Sequence, residues 1–336
     1  MSEVTFEDLK PRFRPTGVHP GIMKFDRETC TKCGLCVQNC PFVCLENDAD
    51  DIPVMKGGNV GCFSCFNCMV VCPVDGCVEI VDTWHVDGPV YNKGWPGHKM
   101  PLEPRDAEGD TSEWNVVERT VLERRSVRNF KDEPVSDHMI RRILEAGRFA
   151  PSATNGQPWK FAVVTDPALL AEIEGFAHAV WSGIHAQYND DAQAVDLYQA
   201  LGGDALPVGG LEPRGFGRGL DCIVSKELPS YFGAPCVIFI ATNDEMFSPD
   251  LHVGIAGQNM NIVAQSLGLG TCWSGFGTAP EYNPDLKVKL GFEDGWRIAT
   301  SLCIGHPEFK QKGLVKRQYR PVTWLRPGGN GPEVED

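Results

Sequence analysis

No stretch of this 336-residue sequence comes near 18 consecutive apolar residues, so none reads as a membrane-spanning helix. The opening residues, MSEVTFEDLKPRFRPTG, lack the apolar run of a secretory signal. The protein is therefore expected in the cytoplasm, where thiols stay reduced. Basic residues are few: 31 Lys and Arg face 45 Asp and Glu, a formal net charge of −14. That balance argues against a nucleic-acid binder and leaves no basic patch for an anionic membrane surface. An acidic surface suits electron-transfer partners, and it serves simple solubility equally well.

Cysteine, by contrast, is abundant. Ten of the 14 lie between Cys30 and Cys77, while Cys222, Cys236, Cys272 and Cys303 are scattered as small buried hydrophobes usually are. The clustered ones repeat. Cys30, Cys33, Cys36 and Cys40 recur 32 positions later as Cys62, Cys65, Cys68 and Cys72, each run reading C-x2-C-x2-C-x3-C-P. Zinc sites use pairs of CxxC knuckles and leave no role for a third closely spaced thiolate. Three thiolates at x2 spacing suit one face of an iron–sulfur cubane, and the fourth, with its proline, turns the chain away. This pattern resembles the bacterial two-cluster ferredoxin over residues 22–85. The resemblance implies that Cys30, Cys33, Cys36 and Cys72 hold one [4Fe–4S] cluster, and Cys62, Cys65, Cys68 and Cys40 the other. Cys44 and Cys77 read as packing residues. Ten acidic and three basic residues between positions 26 and 87 make a negative shell, which disfavours adding an electron.

From Asp87 to Trp114, proline, glycine and charge interrupt every period, as in a linker or strap. Val117, Val121 and Leu122 then have the spacing of a short amphipathic helix. In RRSVRNF, three arginines surround a serine, a grouping suited to a phosphate and equally to a solvated helix end. A helix follows, with Ser136 as N-cap and Ile140, Ile143, Leu144 and Phe149 on one side. Ser152, Asn155 and Gln157 lie in a polar loop before a strand at Phe161–Val164. HVGIAGQNMNIVAQSLGLG predicts a buried helix with Ile255, Ile262, Val263 and Leu267 on its apolar side, ended by Gly268 and Gly270. CVIFIA and SLCIGH predict strands covered on both faces.

The ordered pieces RRSVR, APSATNGQPW and GQNMNIVAQSLGLGTCWSGF resemble the nitroreductase family of FMN proteins over residues 115–330. The resemblance implies an intertwined homodimer with two FMN sites. Arg124, Arg125, Ser126 and Arg128 would bind the FMN phosphate and ribityl chain, and Arg317, beside Lys316, would close on the phosphate. Pro151, Ser152, Ala153 and Asn155 would reach the flavin from the partner subunit, with Gln157 near the ring. Backbone groups of Ser274 and Gly275 would face flavin N5, at a position where many relatives carry an acidic side chain.

The expected fold class is α+β: an N-terminal extension (1–21), a ferredoxin-like 2[4Fe–4S] domain (22–86), a linker (87–114) and a nitroreductase-like α+β sandwich (115–336). Residues 176–230 form a lid-like insertion in which His178, Trp181, His185, Tyr188 and Tyr198 either line the flavin pocket or simply pack. GGLEPRGFGRG lacks the dinucleotide fingerprint. The function expected is an FMN-dependent reductase fed by an external low-potential donor, ferredoxin or similar, through the two clusters. Its acceptor would be a small electron-poor molecule: a nitro compound, quinone, activated alkene or halogenated aromatic. A non-catalytic redox carrier or sensor, or an NAD(P)H-driven enzyme exporting electrons through the clusters, are the alternatives. No catalytic side chain is assigned.

Overall fold

The computed structural model describes residues 4–15, 17–56, 61–87, 98–205, 211, 213–318, 321–328 and 331–335. Its N-terminal half is built from short pieces. Helix α1 (Phe6–Phe13) is followed by β1 (Val18–His19) and β2 (Ile22–Phe25). Then come α2 (Leu35–Gln38), the antiparallel pair β3 (Leu45–Asn47) and β4 (Pro53–Met55), and α3 (Asn67–Val71). The strand β5 (Val78–Asp82) returns to pair with β2, and β6 (His85–Val86) pairs with β1. Most of the expected linker, residues 88–97, lies outside the described residues. Its remainder is a strap: β7 (His98–Lys99) pairs antiparallel with β12 (Arg317–Gln318), which carries one of the arginines of interest.

After α4 (Val116–Glu123) and α5 (Asp137–Arg148), the larger half forms around a four-stranded antiparallel sheet. Its strands are β8 (Trp159–Val164), β9 (Cys236–Asn243), β10 (Gly270–Ser274) and β11 (Trp296–Gly305), in the spatial order β10-β11-β9-β8. Both faces of β9 are covered, because side chains alternate across a strand. Val237, Phe239 and Ala241 pack with α6 (Pro167–Asn189) and α8 (Leu220–Val224) through Ile173, Ala177, Trp181 and Ile223. Cys236, Ile238 and Ile240 face α5 and α9 (Pro249–Ser266) through Ile140, Ile143, Val253 and Met260. Ser136 does stand at the N-cap of α5, yet its hydroxyl makes no capping bond.

Helix α9 corrects one expectation. Its buried face is Val253, Ala256, Gly257, Met260, Asn261 and Ala264, whereas Ile255, Ile262, Val263 and Leu267 are only half-buried. A helix enclosed on most sides gives little amphipathic contrast, so the larger side chains mislead. Small residues face the sheet because the approach is close: a Cβ on Gly257 would lie 2.1 Å from the Trp273 ring.

The insertion is a packed layer. Trp181, Tyr188 and Tyr198 are buried. Trp181 Nε1 donates to the Phe276 carbonyl at 2.8 Å, and Tyr188 hydroxyl to that of Phe13 at 2.9 Å. His178 contacts the Val224 carbonyl and His185 the Asp221 carboxylate. All five residues make packing or hydrogen-bond contacts within the described residues. Nor is the N-terminal segment a free extension: Leu9 and Phe13 of α1 share a core with Tyr188 and with Ala194, Leu197 and Tyr198 of α7 (Asp191–Ala200). Among the described residues no helix is long and apolar enough to cross a membrane.

Gly257→Ala is expected to destabilise the protein by about 1–3 kcal/mol through overpacking against Trp273. Thermal unfolding checks this, and an unchanged melting temperature contradicts it.

Candidate functional site

The cysteine repeat is also a backbone repeat. Lys32 and Ser64 both adopt left-handed φ (57° and 56°), as do Gly34 and Phe66 (70° and 61°). In each loop this turns a main-chain N–H inward, a geometry suited to negative charge. The Lys32 N–H donates to Cys30 Sγ and the Ser64 N–H to Cys62 Sγ, both at 3.4 Å. Each loop then enters a short helix, α2 or α3, that carries Cys36 or Cys68 into the domain core beside Met23, Leu45, Val71 and Val78.

The fourth cysteines cross over. Cys40 is an electrostatic neighbour of Cys62, Cys65 and Cys68, and Cys72 is a neighbour of Cys36, which also faces Cys33. The sulfurs are nevertheless spread out: among the described residues no three of them lie within 4.8 Å of one another. A cubane, bound at its corners, takes such a spacing. Burial pushes the Cys36 and Cys62 thiols up to about 12 and raises Cys65 and Cys68 as well. Such groups ionise readily only beside a cation, which iron would supply. Hydrogen bonds from Cys44 act the other way and hold Cys40 down. Cys44 and Cys77 are buried, and the Cys44 thiol donates to the Gly61 carbonyl at 3.0 Å, as packing residues do.

Residues 124–128 run extended along the edge of β10, with a parallel bridge from Ser126 to Thr271 and a Val127 N–H to Thr271 carbonyl bond of 2.9 Å. The period of two gives this stretch two faces. On one, the side chains of Ser126 and Arg128 reach the Cys272 sulfur. Arg124 Nε and Nη1 are buried and have no hydrogen-bond partner among the described residues, and the same holds for Nε and Nη1 of Arg125. Burial, and then the like charge of Arg317, lower the Arg124 pKa. Buried guanidinium nitrogens without a partner are costly unless an anion joins them. A phosphate such as that of FMN fits this donor set.

Arg125 has a further set of contacts. It and Val127 turn to the opposite face and line a cavity of about 330 Å³ with Lys131, His306, Phe309 and Lys312. Arg125 Nη2 donates to the Cys65 carbonyl at 2.5 Å and is 3.5 Å from Asn67 Oδ1. Its side chain therefore bonds to a cysteine loop. Burial, and next the charge of Arg317, push its pKa down to about 10.

The other expected residues are spread more widely. Ser152, Ala153, Asn155 and Gln157 belong to a loop whose bonds stay within itself or go to α9: the Ala153 N–H donates to His252 Nε2 at 3.0 Å, and the Gln157 N–H to Ser152 Oγ at 3.0 Å. Pro151, Asn155 and Gln157 are exposed. Ser274 is buried, its hydroxyl donates to the Ser230 carbonyl at 2.7 Å and its own carbonyl accepts from Ser301 Oγ at 3.4 Å; Gly275 is exposed. Arg317 is exposed on β12.

Several contacts that join the two halves were not singled out from the sequence. Asn39 Oδ1 accepts from Asn129 Nδ2 and from Gln311 Nε2, each at 3.2 Å. The Lys312 N–H donates to the Val70 carbonyl at 2.9 Å, and Arg218 Nη2 to the Phe42 carbonyl at 3.0 Å. Only local spacing is readable in a sequence, and these partners lie far apart along the chain.

Residues 121–306 match the Nitroreductase family and residues 23–46 a 4Fe-4S binding domain. The 5,6-dimethylbenzimidazole synthase of Rhodospirillum rubrum is 42% identical over 213 residues, covering 60% of this chain and 89% of that protein. The nitrobenzene nitroreductase of Ectopseudomonas oleovorans is 27% identical over 202 residues, covering 56% and 86%. Among solved structures, a nitroreductase with bound FMN from Desulfitobacterium hafniense DCB-2 aligns with a TM-score of 0.47 at 24% identity, covering 64% of this chain and 100% of that one. With more than half its length matched, the chain belongs to the nitroreductase family, and it carries a 4Fe–4S binding domain ahead of the family's fold.

Proposed function

We propose that the protein is an FMN-dependent reductase that takes low-potential electrons through two [4Fe–4S] clusters and passes them to an electron-poor organic acceptor. The observation that carries this reading is the two-faced stretch Arg124–Arg128. Arg124 and Arg125 both keep buried guanidinium nitrogens without a hydrogen-bond partner among the described residues, and Arg125 also bonds the Cys65 loop.

On this reading, Cys30, Cys33, Cys36 and Cys72 hold one cluster, and Cys40, Cys62, Cys65 and Cys68 the other. The exposure of Cys33 favours the first as the entry point for electrons from a ferredoxin or similar donor. The bond to the Cys65 carbonyl favours the second as the one next to the flavin. Arg124, Ser126, Arg128 and Arg317 would bind the FMN phosphate and ribityl chain. Pro151, Ser152, Ala153, Asn155 and Gln157 would come from the partner of a homodimer. The exposed apolar side chains Val116, Val117, Val121 and Phe149 are in keeping with such a pairing. Backbone groups of Ser274 and Gly275 would orient the flavin ring, since the Ser274 hydroxyl is committed to Ser230. When bound, the clusters supply one-electron transfer and FMN the hydride chemistry. Cluster-ligand thiols that must stay reduced favour the cytoplasm as the working compartment.

Cys40→Ala is expected to lower iron from about eight to about four atoms per chain, because the cross-over takes the ligand from the second cluster. Iron and labile-sulfide analysis reads this, and unchanged iron refutes the cross-over. The function itself is tested by adding reduced ferredoxin or dithionite anaerobically. Bound FMN should bleach after the clusters and recover on addition of one class from a panel of nitro, quinone, activated-alkene and haloaromatic acceptors. Clusters that reduce while FMN stays oxidised overturn the reading. Bleaching by NADH or NADPH ahead of the clusters reverses the direction of flow.

A further inference from the structure

The ribbon formed by β1 and β6 sits outside the machinery described so far, and it carries an unusual trio. His19 and His85 are cross-strand partners in register, and Asp87 lies two residues beyond His85, on the same face. The imidazole rings stack with centroids 4.4 Å apart and planes 13° apart. His19 Nε2 lies 2.9 Å from Asp87 Oδ2. One ligand atom from each of the three residues lies within 4.8 Å of the others.

Three further features show that the arrangement is more than a surface ion pair. His85 Nδ1 is 2.9 Å from the Thr83 carbonyl. A carbonyl can only accept, so that nitrogen carries the proton and Nε2 keeps its lone pair, the condition in which histidines ligate metals. Gly17 lies next to Asp87, and a Cβ there would be 2.3 Å from Asp87 Oδ2, so the carboxylate can lean toward His19 only because residue 17 has no side chain. The main chain holds the same corner, with the Asp87 N–H donating to the Gly17 carbonyl at 3.0 Å. An ion pair with Asp87 needs one histidine; the register supplies two.

We propose that His19, His85 and Asp87 form a site for a divalent late transition metal of the Zn²⁺ class, with water in the fourth position. Two imidazoles and one carboxylate match the ligand chemistry of that ion, and the exposure of His19 and Asp87 leaves room for the water. On binding, the metal takes the place of the hydrogen bond between His19 Nε2 and Asp87 Oδ2. The flanking residues tie this ribbon to a cluster loop. The Gly21 N–H donates to the Cys62 carbonyl, and the Trp84 N–H to Ser64 Oγ, each at 2.8 Å. A metal clamp across the ribbon therefore restrains the segment that carries Cys62.

The test uses anaerobically purified holoprotein, dialysed against micromolar Zn²⁺ and analysed for zinc and iron. About one zinc per chain is expected with iron unchanged, and the His19→Ala/His85→Ala double variant should bind at least about tenfold more weakly. Bound zinc should also slow the bleaching of the clusters in air. No zinc uptake by iron-replete protein, or equal uptake by the double variant, overturns the proposal. Should the double variant lose iron, Asp87→Asn, which keeps the side-chain shape, is read by the same criterion.

Discussion

A short run of extended backbone has two faces, and both cofactor assemblies proposed for this protein meet there. Between Arg124 and Arg128 the chain lies along Thr271 at the sheet edge, so its conformation is fixed by main-chain bonds and its side chains must alternate. Arg124 and Arg125 both keep buried guanidinium nitrogens with no partner among the described residues. Arg125 also reaches the carbonyl of Cys65. Shifting this segment by one residue would exchange the faces and place Arg124 at the cysteine loop.

The surrounding architecture keeps that segment in place from several sides. Asn39 receives amide bonds from Asn129 and Gln311, and Lys312 bonds to α3. Arg218, from the insertion, reaches the loop after Cys40. The insertion thus touches α1, the sheet and the cysteine loops. Apolar contacts reinforce the polar ones: Val315 packs with Phe66 and Val70, and Phe309 against the core that holds Cys36 and Cys68.

What the sequence disclosed followed from how local each signal was. The cysteine runs were readable because ligand spacing is set within one loop, and the strands at Cys236 and Ser301 because apolar runs mark a sheet covered on both sides. The left-handed turns at Lys32, Ser64 and Phe66 gave no warning, since none is a glycine. The charge of the arginines suits a phosphate and equally a solvated helix end, and the resemblance to the nitroreductase family assigns them the phosphate. Charge alone does not say that Arg125 turns away from Arg124, Ser126 and Arg128; that needs the strand period. The apolar side of α9 was misassigned because its sheet-facing surface is made of small residues. The bond from Tyr188 to Phe13 spans 175 positions and left no trace in either segment.

The central claim is that the Arg125–Cys65 contact couples the clusters to the flavin. Anaerobic stopped-flow reduction of Arg125→Ala beside the parent protein tests it most directly, with iron and FMN content measured on the same samples. The account predicts that both cofactors are retained while the step from reduced clusters to FMN slows by about tenfold or more, a barrier change of about 1.4 kcal/mol or more. An unchanged rate, with both cofactors present, would contradict it.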